Sequence, residues 1–262
     1  MKPCDSEAAD TGERAIDAAI ADLRPRLHAA NAVCVLSGAG MSAESGIATF
    51  RDALTGLWSR FDPAQLASEE GFRADPAMVW EWYAERRTGV RAALPNAGHR
   101  ALAAFAAARP GVLTIISQNV DDLHQRAGNT DTIRLHGDIL EDRWLAACPR
   151  GLACDPNTAA PGSPPRCSDC SNPVRPGVVW FGEMLPPAAI DAAERAAQRC
   201  ELMLVVGTSG AVWPAAGLAH TARQAGARVV IVNPHPSELD AAAHQVLRGT
   251  AAAVLPPLLA VV

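Results

Sequence analysis

The sequence predicts an α/β fold in which a Rossmann-like parallel sheet is covered by helices on both faces. Short apolar, β-branched runs alternate with alanine-rich helical patterns, and this alternation is typical of a parallel sheet. Each apolar run ends in a polar or glycine-rich cluster, at the edge where such sheets bind ligands. Two segments interrupt the alternation and predict a smaller inserted domain, helical in its first part and cysteine-rich in its second.

The elements can be read in order along the chain. The first 31 residues carry a helix-compatible pattern of apolar positions. Four apolar runs predict buried strands at residues 32–36, 112–116, 202–206 and 228–232. Alanine-rich patterns between them predict helices at residues 99–108, 188–198 and 215–224.

The two segments outside the alternation divide the chain. We expect one catalytic domain over residues 1–262 with a large Rossmann-like lobe and a small lobe. The large lobe is assigned residues 1–46, 96–137 and 179–262. The small lobe is assigned residues 47–95, which are predicted to be helical, and residues 138–178, which are rich in cysteine and proline.

Composition excludes several classes of function. The 23 basic and 28 acidic residues give a net charge of −5, and the absence of a basic run argues against direct binding of nucleic acid or an anionic membrane. The N-terminus lacks a signal-peptide pattern, and the longest apolar stretch, residues 251–262, is short of the roughly 20 residues of a membrane span. We expect a soluble cytoplasmic protein whose cysteines are thiols or metal ligands.

A glycine-rich motif follows the first predicted strand. Residues 38–43, GAGMSA, satisfy G-x-G-x-x-G/A, in which glycines let backbone N–H groups approach a pyrophosphate. A purely structural turn is the alternative. A dehydrogenase would carry an acidic residue at the end of a second strand about 20 residues later, and residues 57–62 do not resemble a strand end.

Five separated blocks then resemble the sirtuin family of NAD-dependent protein lysine deacylases. They occur in family order and spacing at residues 38–52, 117–121, 135–137, 178–183 and 207–209. The resemblance implies acylated-lysine proteins or peptides as partners, and nicotinamide, O-acyl-ADP-ribose and free lysine as products. Mono-ADP-ribosyl transfer and non-catalytic NAD sensing are the alternative functions.

The resemblance also implies the residues of an NAD site. These are Gly38, Ala39, Gly40, Ser45, Thr49, Phe50, Arg51, Gln118, Asn119, Asp121, Gly207, Thr208, Ser209, Asn233 and Ala251. Asn119 and Asp121 are also expected to take part in catalysis, and their alternative role is to cap a helix after the strand.

His136 is the expected general base. An unperturbed imidazole pKa near 6.5 lets it accept a ribose hydroxyl proton at neutral pH. A hydrogen-bonded core histidine and a zinc ligand are the alternatives.

The resemblance places the acylated peptide beside residues 179–181. Val179, Trp180 and Phe181 are expected to line the acyl-lysine tunnel, with the peptide pairing as an added strand. Val212, with Pro214, is expected on the opposite wall.

The single tyrosine of the chain, Tyr83, precedes Arg86 by three residues, so a helix would place both on one face. This spacing resembles class III sirtuins, which remove succinyl, malonyl and glutaryl groups besides acetyl. A guanidinium and a phenol would pair with the acyl carboxylate. An ordinary amphipathic helix with solvated arginines is the alternative, and geometry alone leaves Arg87 open as the partner.

Four cysteines are candidate ligands of one structural zinc ion. Cys167 and Cys170 have the C-x-x-C spacing of a zinc knuckle. The family's usual second C-x-x-C would begin at Trp144, so the available thiols are Cys148 and Cys154, spaced C-x5-C. A metal-free loop is the alternative.

Overall fold

The computed structural model describes residues 5–49, 62–151 and 154–260. The helices are α1 Asp5–Ala29, α2 Gly40–Ala43, α3 Pro63–Leu66, α4 Glu69–Ala74, α5 Pro76–Ala92, α6 Ala97–Ala108, α7 Leu123–Arg126, α8 Pro187–Arg199, α9 Gly217–Gln224 and α10 Ala251–Leu259. The strands are β1 Val33–Ser37, β2 Leu113–Ser117, β3 Ile133–Arg134, β4 Gly137–Trp144, β5 Val174–Val178, β6 Leu202–Val206, β7 Arg228–Val232 and β8 Gln245–Leu247.

The main sheet has six parallel strands in the order β3-β2-β1-β6-β7-β8. Its four central strands are the four predicted runs, two of them displaced by one residue, and the predicted α/β fold is confirmed. The two edge strands were not predicted, because two and three residues are too few to show a periodicity. All six strands point the same way, so their carboxyl ends form one edge.

Alternate residues of the central strands pack on opposite faces of the sheet, as a pleated strand requires. Val33 and Val35 contact a cluster built with α1, α6 and α10. Cys34 and Leu36 contact a cluster built with α8 and α9. The sheet is therefore the middle layer of three.

A second, two-stranded antiparallel sheet pairs β4 with β5, with a register shift between Asp138 and Asp142. A third apolar cluster packs α3, α4 and α5 against this sheet, around Phe72, Trp82 and Trp180. This cluster joins residues from both segments that interrupt the alternation. The exact division into two lobes stays a prediction.

The C-terminal apolar stretch forms α10, which contains Pro256 and Pro257 and packs on α6 and α1. In the described ranges, no helix is both long and apolar enough to cross a membrane.

Candidate active site

Two backbone loops meet closely at the carboxyl edge of the sheet. After β1, the Gly38 N–H donates to the Val206 carbonyl at 2.9 Å and the Gly40 N–H to the Gly207 carbonyl at 2.8 Å. A Cβ atom on Gly40 would lie 2.8 Å from the Gly207 Cα. Gly207 itself has φ +61°, and a Cβ there would lie 2.4 Å from the Met41 nitrogen. The glycines of both loops are thus required for the loops to approach each other.

Ser42 joins this turn to the loop after β2. The Asn119 side-chain amide donates to the Ser42 hydroxyl at 3.1 Å, and Ser42 also hydrogen-bonds the Asp121 carboxyl. All three residues are buried. Ser42 was missed by sequence reasoning, although its place in the glycine-rich motif could have indicated it.

Two opposing effects act on the pKa of the Asp121 carboxyl. Burial raises the pKa of its carboxyl, while hydrogen bonds from the Leu123 N–H, at 3.0 Å, and from Ser42 favour the ionised form. Its contact with the first residue of α7 is the helix-end role considered as the alternative. The carboxyl therefore organises the loop as well as facing Ser42.

The tautomer of His136 follows from its neighbour. The Nδ1 atom lies 2.8 Å from the Gln118 carbonyl oxygen, which can only accept, so Nδ1 carries the hydrogen and Nε2 keeps its lone pair. Burial lowers the pKa of this imidazole, and the Gln118 carbonyl opposes the shift. The neutral form, which can act as a base at Nε2, is therefore favoured.

A chain of polar contacts joins the loops after β2, β6 and β7. The Gln118 amide donates to the Thr208 hydroxyl at 3.2 Å, and the Asn233 amide donates to the Thr208 carbonyl at 2.9 Å. Ser209 follows in an exposed position. Thr208, Ser209 and Asn233 are assigned to the adenosine end of NAD and Gln118 to its nicotinamide end. These residues lie together at the edge where the glycine turns meet.

Other residues assigned to the NAD site lie between the glycine turn and α10. Ala39 is exposed and precedes α2, and Ala251 is buried and begins α10. The Glu44 carboxylate caps the first turn of α10, because it accepts hydrogen bonds from the Thr250 hydroxyl and the Ala252 N–H, both at 2.9 Å. The Ser45 hydroxyl is buried and has no hydrogen-bond partner within the described ranges. Thr49 is half-buried. Phe50 and Arg51 lie outside the described residues.

Tyr83 and Arg86 lie on one face of α5. Tyr83 is 3% exposed, and its hydroxyl oxygen accepts a hydrogen bond from the Trp180 indole at 3.0 Å. Burial raises the pKa of the phenol. Burial likewise lowers the pKa of the Arg86 guanidinium, while the charges of Tyr83 and Asp121 oppose that shift. The structure thus brings the tyrosine–arginine pair close to Asp121, a residue assigned to the NAD site from the sequence.

Arg87, left open by the sequence, is engaged elsewhere. It is 7% exposed, and its guanidinium donates to the Ile139 carbonyl and pairs with Asp142, both at 2.5 Å. These contacts fasten α5 to β4. The alternative of a solvated arginine does not hold for Arg87, because its guanidinium is buried and contacts backbone carbonyls and a carboxylate of β4.

The residues assigned to the peptide differ in exposure. Trp180 is 2% exposed and packs in the third apolar cluster, whereas Phe181 is 54% exposed. Val179 is half-buried, and its N–H donates to the His136 carbonyl at 2.9 Å. Val212 is 41% exposed and precedes the cis peptide bond Trp213–Pro214. Val179 is therefore tied directly to the proposed base.

Sequence reasoning also missed an ion pair beneath Trp180. Arg175 is 1% exposed, stacks on the Trp180 indole and pairs with Glu183. The Glu183 carboxylate also accepts a hydrogen bond from the Trp180 backbone N–H at 2.8 Å. These contacts fix the segment that follows β5.

Four cysteines form a closed set of thiol contacts. Cys154 lies 3.7 Å from Cys167, sulfur to sulfur, and Cys148 contacts both Cys154 and Cys170. Backbone N–H groups of residues 169 and 170 point at the Cys167 sulfur and lower its pKa. Four thiols with N–H groups directed at sulfur fit a tetrahedral zinc ion. Asp169 is an exposed oxygen donor within 4.8 Å of Cys154 and Cys167.

The chain is similar to known proteins over most of its length. Residues 38–214 match the Sir2 family. An "NAD-dependent protein deacylase" of Ralstonia nicotianae is 53% identical over 243 residues, covering 93% of this chain and 97% of that protein.

Two solved structures show the same likeness. The structure described as a Sir2 homolog–NAD complex has a TM-score of 0.78 and 42% identity, covering 89% of this chain and 90% of that one. A structure of Sir2Tm bound to a propionylated peptide has a TM-score of 0.73 and 28% identity, covering 89% and 93%.

Proposed function

The chain belongs to the Sir2 family and is an NAD-dependent protein deacylase, and from this premise we propose that it removes succinyl and malonyl as well as acetyl groups from lysine. The observation that carries the acyl range is the pairing of Tyr83 and Arg86 on one face of α5, close to Asp121. A negatively charged acyl end needs a cationic partner in a buried site, because an unpaired carboxylate there is strongly disfavoured.

Both members of the pair can donate to a carboxylate. The Tyr83 oxygen already accepts the Trp180 indole hydrogen, so the phenol O–H is directed elsewhere. Arg86 can form two parallel hydrogen bonds with a carboxylate. The half-buried position of Arg86 strengthens that interaction, since water competes less. Arg87 is excluded from this role because Ile139 and Asp142 occupy its guanidinium.

The NAD site is proposed at the edge where the glycine turns meet. Gly38 and Gly40 would face the phosphates with Arg51, whereas Ala39 and Phe50 would lie around the nicotinamide and its ribose. Ser45 and Thr49 would complete the site, and the Ser45 hydroxyl, which has no hydrogen-bond partner among the residues that the structure describes, supports a ligand there. The adenosine end would contact Gly207, Thr208, Ser209, Asn233 and Ala251. Gln118, Asn119 and Asp121 would hold the nicotinamide and its ribose.

The chemistry of the bound co-substrate is to provide the ADP-ribosyl group that receives the acyl group and releases nicotinamide. Asn119 and Asp121, both fixed by Ser42, orient the ribose end. His136 removes a proton from a ribose hydroxyl at Nε2, because Nδ1 is committed to the Gln118 carbonyl. Holding the reacting groups in position is the larger contribution of such a site, since an amide oxygen is a weak nucleophile.

The acylated peptide is proposed to lie beside Val179, Trp180 and Phe181, with Val212 on the opposite wall. Exposed Phe181 and Val212 offer apolar surface, and a similar protein has been solved with a propionylated peptide. Main-chain pairing of this kind places few demands on the peptide sequence.

We also propose that Cys148, Cys154, Cys167 and Cys170 hold one structural zinc ion. Bound zinc would hold the four sulfurs in one tetrahedron. The closed set of thiol contacts supports this assignment over a metal-free loop.

Product analysis tests the proposed activity. The protein is incubated with NAD and peptides carrying acetyl-, succinyl- or malonyl-lysine, and all products are identified by mass spectrometry. We expect free lysine peptide, nicotinamide and the matching O-acyl-ADP-ribose from each. An ADP-ribosylated protein without loss of acyl groups would indicate ADP-ribosyl transfer, and turnover of the acetyl peptide alone would refute the acyl range.

A further inference from the structure

A cavity lies at the amino-end edge of the main sheet, opposite the carboxyl edge at which the glycine turns meet. Its volume is about 390 Å³. It is lined by the amino ends of β1 and β2 and by the last two turns of α8, including Cys34, Arg195, Arg199 and Cys200. The proposed NAD site, by contrast, is at the carboxyl edge of the same strands. The deacylase reaction uses none of these four residues.

Two largely buried thiols line this cavity, with Cys34 1% exposed and Cys200 7% exposed. Cys34 is the second residue of β1 and points toward α8, while Cys200 caps the end of α8. The thiols hydrogen-bond each other. The Cys200 S–H also donates to the Ala197 carbonyl at 3.3 Å. Further polar residues that line the cavity are Thr114, Arg195 and Arg199.

The two thiols are not chemically equivalent. The Cys34 S–H is directed at the Cys200 sulfur, which lowers the pKa of Cys200 and raises that of Cys34. Cys200 therefore ionises first and is the better nucleophile. Burial disfavours both thiolates.

The cavity also carries positive charge. Arg195 and Arg199 are one helical turn apart on the exposed face of α8 and both line it. Positive charge within such a cavity stabilises the negative charge that develops when a thiolate reacts. A thiol pair with one more acidic member is typical of a redox-sensitive site.

We propose that Cys34 and Cys200 are a redox modification site, oxidised by a small hydroperoxide that enters this cavity. In the first step the Cys200 thiolate sulfur attacks the terminal oxygen of the hydroperoxide, so an S–O bond forms and the O–O bond breaks, and the hydroxide or alkoxide that leaves takes up the proton that the Cys200 thiol released. In the second step the Cys34 sulfur attacks the Cys200 sulfur, so the S–S bond forms and the hydroxide leaves with the Cys34 proton as water. The sulfurs lose two electrons, the peroxide gains two, and a thiol reductant reverses the change.

Mass spectrometry of the full-length protein tests this proposal. The protein is treated with hydrogen peroxide, its remaining thiols are alkylated under native conditions, and its peptides are mapped. We expect a Cys34–Cys200 linked peptide pair that lacks two hydrogen atoms and separates on reduction. If Cys34 and Cys200 stay as free thiols while cysteines of the 148–170 segment are oxidised, the proposal is wrong.

Single variants assign the two roles. In Cys34→Ser, Cys200 should accumulate as a sulfenic acid that dimedone labels. In Cys200→Ser, by contrast, Cys34 should show no dimedone labelling. Cys34→Ala and Cys200→Ala replace them if the serine variants do not fold. Equal dimedone labelling of both cysteines would contradict the assignment of Cys200 as the reactive member.

Arg199→Gln tests the role of charge. We expect slower oxidation of Cys200, by about threefold to tenfold for the loss of one nearby cation. Arg223→Gln, on the exposed end of α9 and outside the cavity, is the matched control and should leave the rate unchanged. Equal rates in Arg199→Gln and the wild type would contradict a role for this arginine in the site.

Discussion

The protonation state of His136 links one hydrogen bond to the rate of the reaction. Its Nδ1 hydrogen is held by the Gln118 carbonyl, and burial lowers the pKa of the ring. A base works in its neutral form, so a lowered pKa extends activity toward acidic pH. At the residue scale, the structure therefore predicts which nitrogen of the proposed base accepts the proton and that its working range extends to lower pH.

The first prediction concerns this base. We expect His136→Ala to lower turnover by about 10² to 10⁴-fold, while the affinity for NAD measured by calorimetry changes little. His136→Asn, which keeps a donor for the Gln118 carbonyl, should be as inactive. Substantial deacylation by either variant would contradict the assignment. In the wild type, the acidic limb of kcat/KM should lie below pH 6.5, the ordinary imidazole pKa.

The glycine turns give a prediction at the scale of elements. Gly207→Ala should lower the free energy of unfolding by about 1–3 kcal/mol and weaken NAD binding, because a Cβ there meets the Met41 nitrogen at positive φ. Gly89→Ala, in the open interior of α5, is the matched control and should stabilise the protein by about 0.5–1 kcal/mol. Urea denaturation measures both, and a Gly207→Ala protein as stable as the wild type would refute the close approach.

The cysteine loop gives a second prediction at this scale. The purified protein should contain one zinc ion per chain by elemental analysis, and Cys167→Ala/Cys170→Ala should lose it. Cys34→Ser, which leaves the loop intact, should retain the zinc. A double variant that keeps its full zinc content would show that the metal, if bound, is held elsewhere.

Sequence patterns predicted the central elements better than the edges. The four central strands are buried on both faces and appear as continuous apolar runs, whereas β3 and β8 are too short to show any pattern. The site shows the same difference. The glycine motif was visible in the sequence, but the contacts of Ser42 and the engagement of Arg87 with β4 depend on residues distant in the chain.

At the scale of the whole molecule, buried histidines couple stability to pH. The His99 and His124 rings meet edge to face with centroids 4.9 Å apart, and the His124 Nε2 lies 3.0 Å from the Ser37 hydroxyl. Burial lowers the pKa of His99 to about 3 and that of His124 to about 4. Both rings are neutral in the folded protein at pH values where an unfolded chain binds the proton.

The fourth prediction follows from this difference. Stability from these histidines is complete above pH 6.5 and is lost as pH falls toward 4, by about 1.4 kcal/mol per pH unit for each ring. His124→Gln cannot titrate, so its free energy of unfolding should fall less steeply than that of the wild type between pH 7 and 5. Parallel slopes in urea denaturation would contradict the account.

Helix α5, which packs in the third apolar cluster, brings Tyr83 and Arg86 toward Asp121 at the carboxyl edge of the main sheet, and the proposed acyl range depends on that approach. Because the whole fold is needed to place this pair, acyl selectivity tests the role of Tyr83 and Arg86 more directly than activity on a single substrate does. An exposed arginine on the same helix, Arg91, supplies a matched control.

The decisive measurement is the ratio of kcat/KM for succinyl-lysine and acetyl-lysine peptides in wild type, Tyr83→Phe/Arg86→Met and Arg91→Met. We predict that the double variant lowers this ratio by about tenfold to a hundredfold, because charge-assisted hydrogen bonds to the acyl carboxylate are lost, and that Arg91→Met leaves it unchanged. Equal losses on both peptides in the double variant would contradict the recognition of acyl charge by Tyr83 and Arg86.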